Sequence, residues 1–213
     1  LRIRQMLADR NDIDLILIPK DKRKSNSVRA DFLNEADIAV LCLPDDAASE
    51  ALGWIENASV KVIDTSTVRR IDSQWTYGLP EINSSHRESI INSNRVANPG
   101  CYPVSFILAL RPLIETGLLS VSTPLAVNAV SGYSGGGRKM IEDYRLDPDR
   151  METIDAHKPL SLYGLNSTHK HIAEMQKFAL IDQAPIFVPS VAHTFCGMTV
   201  SIPIPAVYLC DVN

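Results

Sequence analysis

Apolar residues in the first third of the chain come in short runs closed by turn residues. Residues 12–19 (DIDLILIP) and 37–44 (DIAVLCLP) are continuous apolar stretches ended by proline, the pattern of strands buried on both faces. Residues 60–64 (VKVID) form a third run. Polar, helix-spaced segments lie between them: 25–35, and 45–55 with an aspartate positioned to cap it. The first residues, 1–9, have helical spacing with no capping residue ahead of them. Strand and helix alternating at this interval predict right-handed crossovers and an open parallel sheet. In such a sheet, ligands lie at the carboxyl ends of the strands, here at Pro19 and Lys20, at Leu43 to Asp45, and at Asp64 to Thr67.

From about residue 94 the pattern changes. A strand at 95–97 runs into Asn98-Pro99-Gly100-Cys101-Tyr102-Pro103 and a long apolar helix over 104–117. A strand at 124–131, a glycine-rich turn at 132–139 and a short helix at 140–144 follow. Helical periodicity returns over 169–181, and strands are predicted at 185–189 and 198–203. The pattern predicts an open parallel α/β region over 1–97 and an α+β region over 98–213. Both ends read as interrupted: the first helix is entered from its middle, and the chain stops just after a strand-like stretch at 206–213.

Composition narrows the function classes. The chain has 213 residues, 45% of them hydrophobic and 22% charged, enough for a buried core and too apolar for disorder. A net charge of −4 offers no footprint for nucleic acid or an anionic membrane, and no apolar run is long enough to span a bilayer. Four cysteines (Cys42, Cys101, Cys196, Cys210) stand far apart with no CxxC pair, which argues against a zinc site or a disulfide framework and fits a reducing, cytoplasmic setting.

Three segments carry candidate chemistry. Cys101 stands at a helix start, where free N–H groups and the helix dipole favour a thiolate and Pro99-Gly100 would present the sulfur; the plain alternative is a small buried hydrophobe. In Thr168-His169-Lys170-His171-Ile172-Ala173-Glu174, His171 and Glu174 are three apart on one helical face, so the carboxylate can hold the imidazole as a Cys-His pair requires. His169 would leave that face if the helix had already begun. Read alone, the segment is also a metal fragment without a third ligand, or a solvated helix start capped by Thr168. In Ser131-Gly132-Tyr133-Ser134-Gly135-Gly136-Gly137-Arg138, three glycines permit close backbone approach to an anionic ligand, or simply make a flexible connector. The hydroxyls of 65–67, Ser66 among them, and Arg70 sit where a strand end would deliver them to a ligand. At the end of the 12–19 run, Lys20, Lys22, Arg23 and Lys24 outnumber Asp21; where such a strand end meets the ribose of a dinucleotide, this favours the 2'-phosphate of NADP over NAD, and a solvated basic loop is the alternative.

Together the three motifs, in this order and spacing, resemble N-acetyl-γ-glutamyl-phosphate reductase of arginine biosynthesis, closest to its shorter subclass, within the aspartate-semialdehyde dehydrogenase superfamily. Cys42 to Asp46, Ile63 to Thr67 and Trp75 to Glu81 match it as well. The resemblance implies a Rossmann domain and a catalytic α+β domain that also builds a homodimer or homotetramer. It implies Cys101 as nucleophile, His171 as general acid/base, Glu174 orienting it and His169 nearby. It further implies NADP contacts at Pro44, Ser66, Ser134, Gly135 and Gly136 beside Lys22, Arg23 and Lys24. Asn98, Arg70 and Arg138 would bind a small acyl-phosphate substrate, with no metal. Ala173 stands where members normally have proline. The first strand with its glycine loop, and a C-terminal segment, are expected to be missing. Rival readings are an aspartate-semialdehyde dehydrogenase, a Cys-His hydrolase and a non-catalytic binding or assembly module.

Overall fold

The computed structural model describes residues 2–144 and 159–210. The chain forms two compact units: Leu1–Gly78 with Glu88–Asn98, and Leu79–Arg87 with Pro99–Asn213.

The first unit runs α1 (Arg2–Ala8), α2 (Asn26–Glu35), β1 (Ile38–Leu41), α3 (Asp45–Leu52), β2 (Lys61–Asp64), β3 (Thr76–Tyr77), α4 (His86–Asn92, which crosses into the second unit) and β4 (Arg95–Ala97). Its four strands are all parallel, in the order β1-β2-β4-β3. Ser25 caps α2 by accepting the Val28 N–H. The cap position of α3 falls on Pro44, so Asp45 does not fill it; the Asp45 carboxylate instead accepts the backbone N–H and hydroxyl of Thr67.

Two strand expectations change. Residues 13–19 take no place in a ladder, and of their apolar side chains only Leu15 and Ile18 are even half-buried. A strand exists only against a partner's free edge, and among the described residues none pairs with this run. β1 is buried on one face, not both: Ala39 and Leu41 join Ala51, Val60 and Val62 in the core, while Ile38 and Val40 are exposed. Asn34 ties the layers of this unit together. Its amide donates to the carbonyls of Ala30 and Trp54, and its carbonyl accepts the N–H groups of Glu56 and Asn57.

The second unit holds α5 (Cys101–Glu115), β5 (Ala126–Gly132), α6 (Gly137–Asp143), β6 (Leu160–Leu162), α7 (His171–Ala179), β7 (Ile186–Ala192) and β8 (Met198–Ser201). The sheet order is β6-β7-β5-β8; β5 and β7 are parallel from Ala126↔Ile186 to Gly132↔Ala192, and the outer strands are antiparallel to them. Tyr102, Phe106, Leu110 and Ile114 make one buried stripe on α5, and Ile172, Met175 and Ala179 make another on α7. With Val127, Ala129, Phe187 and Val191 from the strands they form the core.

Helix α5 starts three residues earlier than its apolar pattern predicts. Pro103 lies in the first turn, where its missing N–H has no helical partner to lose. Gly132 must be glycine, because a Cβ there would stand 2.7 Å from the Thr194 carbonyl oxygen and the Cys196 nitrogen. The stretch from 206 is a short 3-10 turn, not a strand; residues 211–213 lie outside the described set.

Asn34→Leu keeps the volume and removes four hydrogen bonds, so it is expected to destabilise the first unit by roughly 2–4 kcal/mol. Urea unfolding followed by the emission of Trp54 and Trp75 measures this, and a loss under about 0.5 kcal/mol would remove Asn34 from its central place.

Candidate active site

Each of the two helices that precede the central strands begins with a candidate residue: Cys101 is the first of α5 and His171 the first of α7. Both helices feed adjacent parallel strands, so their amino ends come to the same end of the sheet. Cys101 is exposed there. Behind it Tyr102 is fully buried, its hydroxyl donating to the Ser190 carbonyl at 3.3 Å. The Tyr102 ring meets those of His171 (5.8 Å) and Phe187 (5.5 Å) edge to face.

Helix α7 begins two residues later than its periodicity predicts, which frees His169 to fold back. Its Nδ1 accepts the His171 backbone N–H at 3.2 Å, and the two imidazoles lie 4.6 Å apart. The structure therefore brings His169 and His171 together. Burial, and then neighbouring Lys170, holds the His169 pKa below the usual imidazole range. Thr168 donates to Asn166 and does not cap α7, whose cap position is Lys170. The Glu174 carboxylate is 1% exposed, and its Oε2 accepts the backbone N–H of Gly100 at 2.9 Å, immediately before Cys101.

Tyr163 belongs to the same cluster and was not singled out in the sequence. It follows β6, its N–H donates to Pro189, and its ring lies 5.7 Å from that of His169. Burial above all, and then a hydrogen bond with Tyr102, push its phenol well above the ordinary tyrosine range, and Cys101 adds to the effect. The local signal was Gly164, which at φ 59° turns the chain toward His169.

The remaining candidates are distributed as follows. In the first unit Lys22, Arg23 and Lys24 are exposed on and after a 3-10 turn, with the Arg23 Nε donating to the Ile18 carbonyl. Pro44 is exposed at the head of α3, and Ser66 is buried with its hydroxyl donating to Asp64. Arg70 is buried and donates to the Thr65 carbonyl; Asn98 follows β4 and is exposed, its N–H donating to the Asp64 carbonyl. In the second unit Ser134, Gly135 and Gly136 form a 3-10 turn after β5, joined by backbone bonds from Tyr133 and Ser134 to Thr194 and Phe195. Arg138 is exposed on α6 and pairs with Glu142 at 2.6 Å. Among the described residues no group of three or more His, Cys, Asp or Glu side chains gathers as a metal site would, and no helix is long and apolar enough to cross a membrane.

Residues 101–208 match the family model described as semialdehyde dehydrogenase, dimerisation domain, and residues 10–90 match semialdehyde dehydrogenase, NAD binding domain. The chain belongs to the semialdehyde dehydrogenase family. N-acetyl-gamma-glutamyl-phosphate reductase of Trichormus variabilis is 44% identical over 96% of this chain, and that of Rhizobium etli 47% identical over 96%. The chain spans less than two thirds of their length, 64% and 65% respectively. Its fold is that of aspartate semialdehyde dehydrogenase II from Vibrio cholerae, with a TM-score of 0.62 at 18% identity over 80% of this chain and 56% of that one. The Candida albicans aspartate semialdehyde dehydrogenase solved with NADP aligns at a TM-score of 0.52 and 15% identity, over 84% of this chain and 51% of that one.

A lowered His169 pKa has a signed consequence. In the window between its folded value and the unfolded value near 6.5, the unfolded chain binds the extra proton, so stability is present above about pH 6.5 and is lost as the pH falls below it. Replacing His169 with Gln should flatten that part of the stability profile, and an NMR titration should find His169 less protonated than a free imidazole at the same pH.

Proposed function

We propose that this chain carries the NADPH-dependent reduction of N-acetyl-γ-glutamyl phosphate to N-acetyl-glutamate 5-semialdehyde, a step of arginine biosynthesis, through a thioester on Cys101. The observation that carries the reading is the exposed Cys101 at the head of α5, with His169 and His171 held around Tyr102 at the same end of the sheet. Relatives bearing that reductase name, at 44–47% identity over almost the whole chain, support it.

In this reading residues 1–97 serve the cofactor and 98–213 the chemistry. The donor set fits NADP: Lys22, Arg23 and Lys24 are exposed cations with only Asp21 among them, as a 2'-phosphate requires. Pro44 and Ser66 complete the cofactor contacts in the first unit, and Ser134, Gly135 and Gly136 supply the backbone approach in the second. Asn98, Arg70 and Arg138 are assigned to the substrate.

The Cys101 thiolate attacks the acyl carbon; the S–C bond forms, the bond to the phosphate oxygen breaks, and inorganic phosphate leaves. NADPH, when bound, supplies the hydride that the thioester carbon accepts. His171 gives its proton to the oxyanion of the resulting hemithioacetal and takes it back as the C–S bond breaks, which frees the aldehyde and restores the thiolate, while Glu174 steadies the imidazole. His169, whose pKa burial lowers, serves the pocket wall. We assign the protein to the cytoplasm, where its four cysteines stay reduced, and to a homodimer or homotetramer built on the dimerisation domain.

The deciding assay is NADP reduction by the full-length protein with N-acetyl-glutamate semialdehyde and phosphate, run against aspartate semialdehyde. Preference for the latter would overturn the substrate assignment. Cys101→Ser should leave no more than a few per cent of turnover with the fold intact, because the hydroxyl is un-ionised at neutral pH. The same exchange at Cys42, Cys196 or Cys210 should leave turnover nearly unchanged. His171→Ala should cost about 10² to 10⁴ in turnover, and His169→Ala should act mainly on binding; the reverse ranking would exchange their roles.

Neutralising Lys22, Arg23 and Lys24 should weaken NADPH far more than NADH, by roughly 1.5–3 kcal/mol for each charge-assisted hydrogen bond to the 2'-phosphate that is removed. Equal weakening of both cofactors would make this loop an ordinary charged surface.

A further inference from the structure

The head of α5 has no cap of its own. Its cap residue, Gly100, has no side chain, and no side-chain bond caps the first turn from that position. In a capping box the third helical residue reaches back to the cap's N–H; here that residue is Pro103, which has nothing to reach with. The acceptor comes instead from 74 residues further along the chain, where Glu174 of α7 places Oε2 2.9 Å from the Gly100 nitrogen. Gly100 and Glu174 are both buried, so no bulk water can take over as acceptor.

We infer that Glu174 is a positioning residue for the nucleophile: by holding the Gly100 amide it fixes the first turn of α5 and with it the place and ionisation of the Cys101 thiol. This rests on the reading of Cys101 as the nucleophile, and it gives Glu174 a task distinct from steadying His171. The thiol is the first side chain after the tethered amide. Its thiolate is favoured by the partial positive charge of the helix start, which acts on the sulfur only while the turn is closed. An acceptor at Gly100 therefore favours the thiolate by geometry, while the negative charge of Glu174 opposes it by repulsion. The two effects have opposite signs and can be separated.

The test is the pH profile of Cys101 alkylation by iodoacetamide, with the label located by mass spectrometry, in the full-length protein carrying His171→Ala so that imidazole orientation no longer counts. The other ionisable groups around the turn stay in place: Tyr102 on α5, His169 and Lys170 ahead of α7, and Tyr163 after β6. Glu174→Gln keeps an acceptor and removes the charge, so the alkylation midpoint should stay or fall. Glu174→Leu fills the volume without an acceptor, and Glu174→Ala leaves it open. Both should raise the midpoint by about one unit, slowing alkylation about tenfold below it. Leu and Ala midpoints that match the Gln midpoint or fall below the parent's would overturn the inference, since charge alone would then account for Glu174. A raised midpoint in the Gln variant overturns it by itself, even if the other two fail to fold. Failure of the underlying reading looks different: in the protein with Glu174 intact, Cys101 would then be labelled no faster than Cys42, Cys196 or Cys210.

Discussion

The parallel ladder between β5 and β7 is the constraint on which the second unit depends. Each of these strands is entered from a helix that runs back along the sheet, and because the strands are parallel and adjacent, the two helices start side by side. The first residues of those helices, a cysteine and a histidine separated by 70 positions, come to the same end of the sheet without any loop reaching across to join them. Seven paired residues hold this arrangement in register, and a shift of one would send every core side chain of β7 to the other face. The site is thus a property of the sheet more than of any single motif.

Much of this could be read locally. The break at Pro99-Gly100 announced a helix headed by Cys101, and the spacing of Ile172, Met175 and Ala179 announced the inward stripe of α7. What escaped was non-local. Glu174 looked like a partner for the imidazole one turn away, because sequence shows neighbours along a helix and not an amide 74 residues upstream. Tyr163 escaped because β6 is three residues long and its place is set by pairing with β7, not by its own pattern.

Residues 12–19 show the opposite failure, in which a strong local pattern finds no strand partner among the described residues. Their composition is that of an inner strand, and the expectation was sound as a statement about the segment. Pairing, however, belongs to two strands at once, and the second term is not written in the run itself. Pro103 makes the same point at smaller scale: proline reads as a breaker until its position within the first turn is known.

Among the described residues β1 is an outermost strand of its sheet, and it exposes Ile38 and Val40 on one side. An open backbone edge flanked by bare branched side chains is the template on which another extended segment adds most easily. For anyone preparing this chain in isolation, clumping in concentrated solution should begin at that edge. A lysine at position 38 or 40 is the gatekeeper that would suppress it.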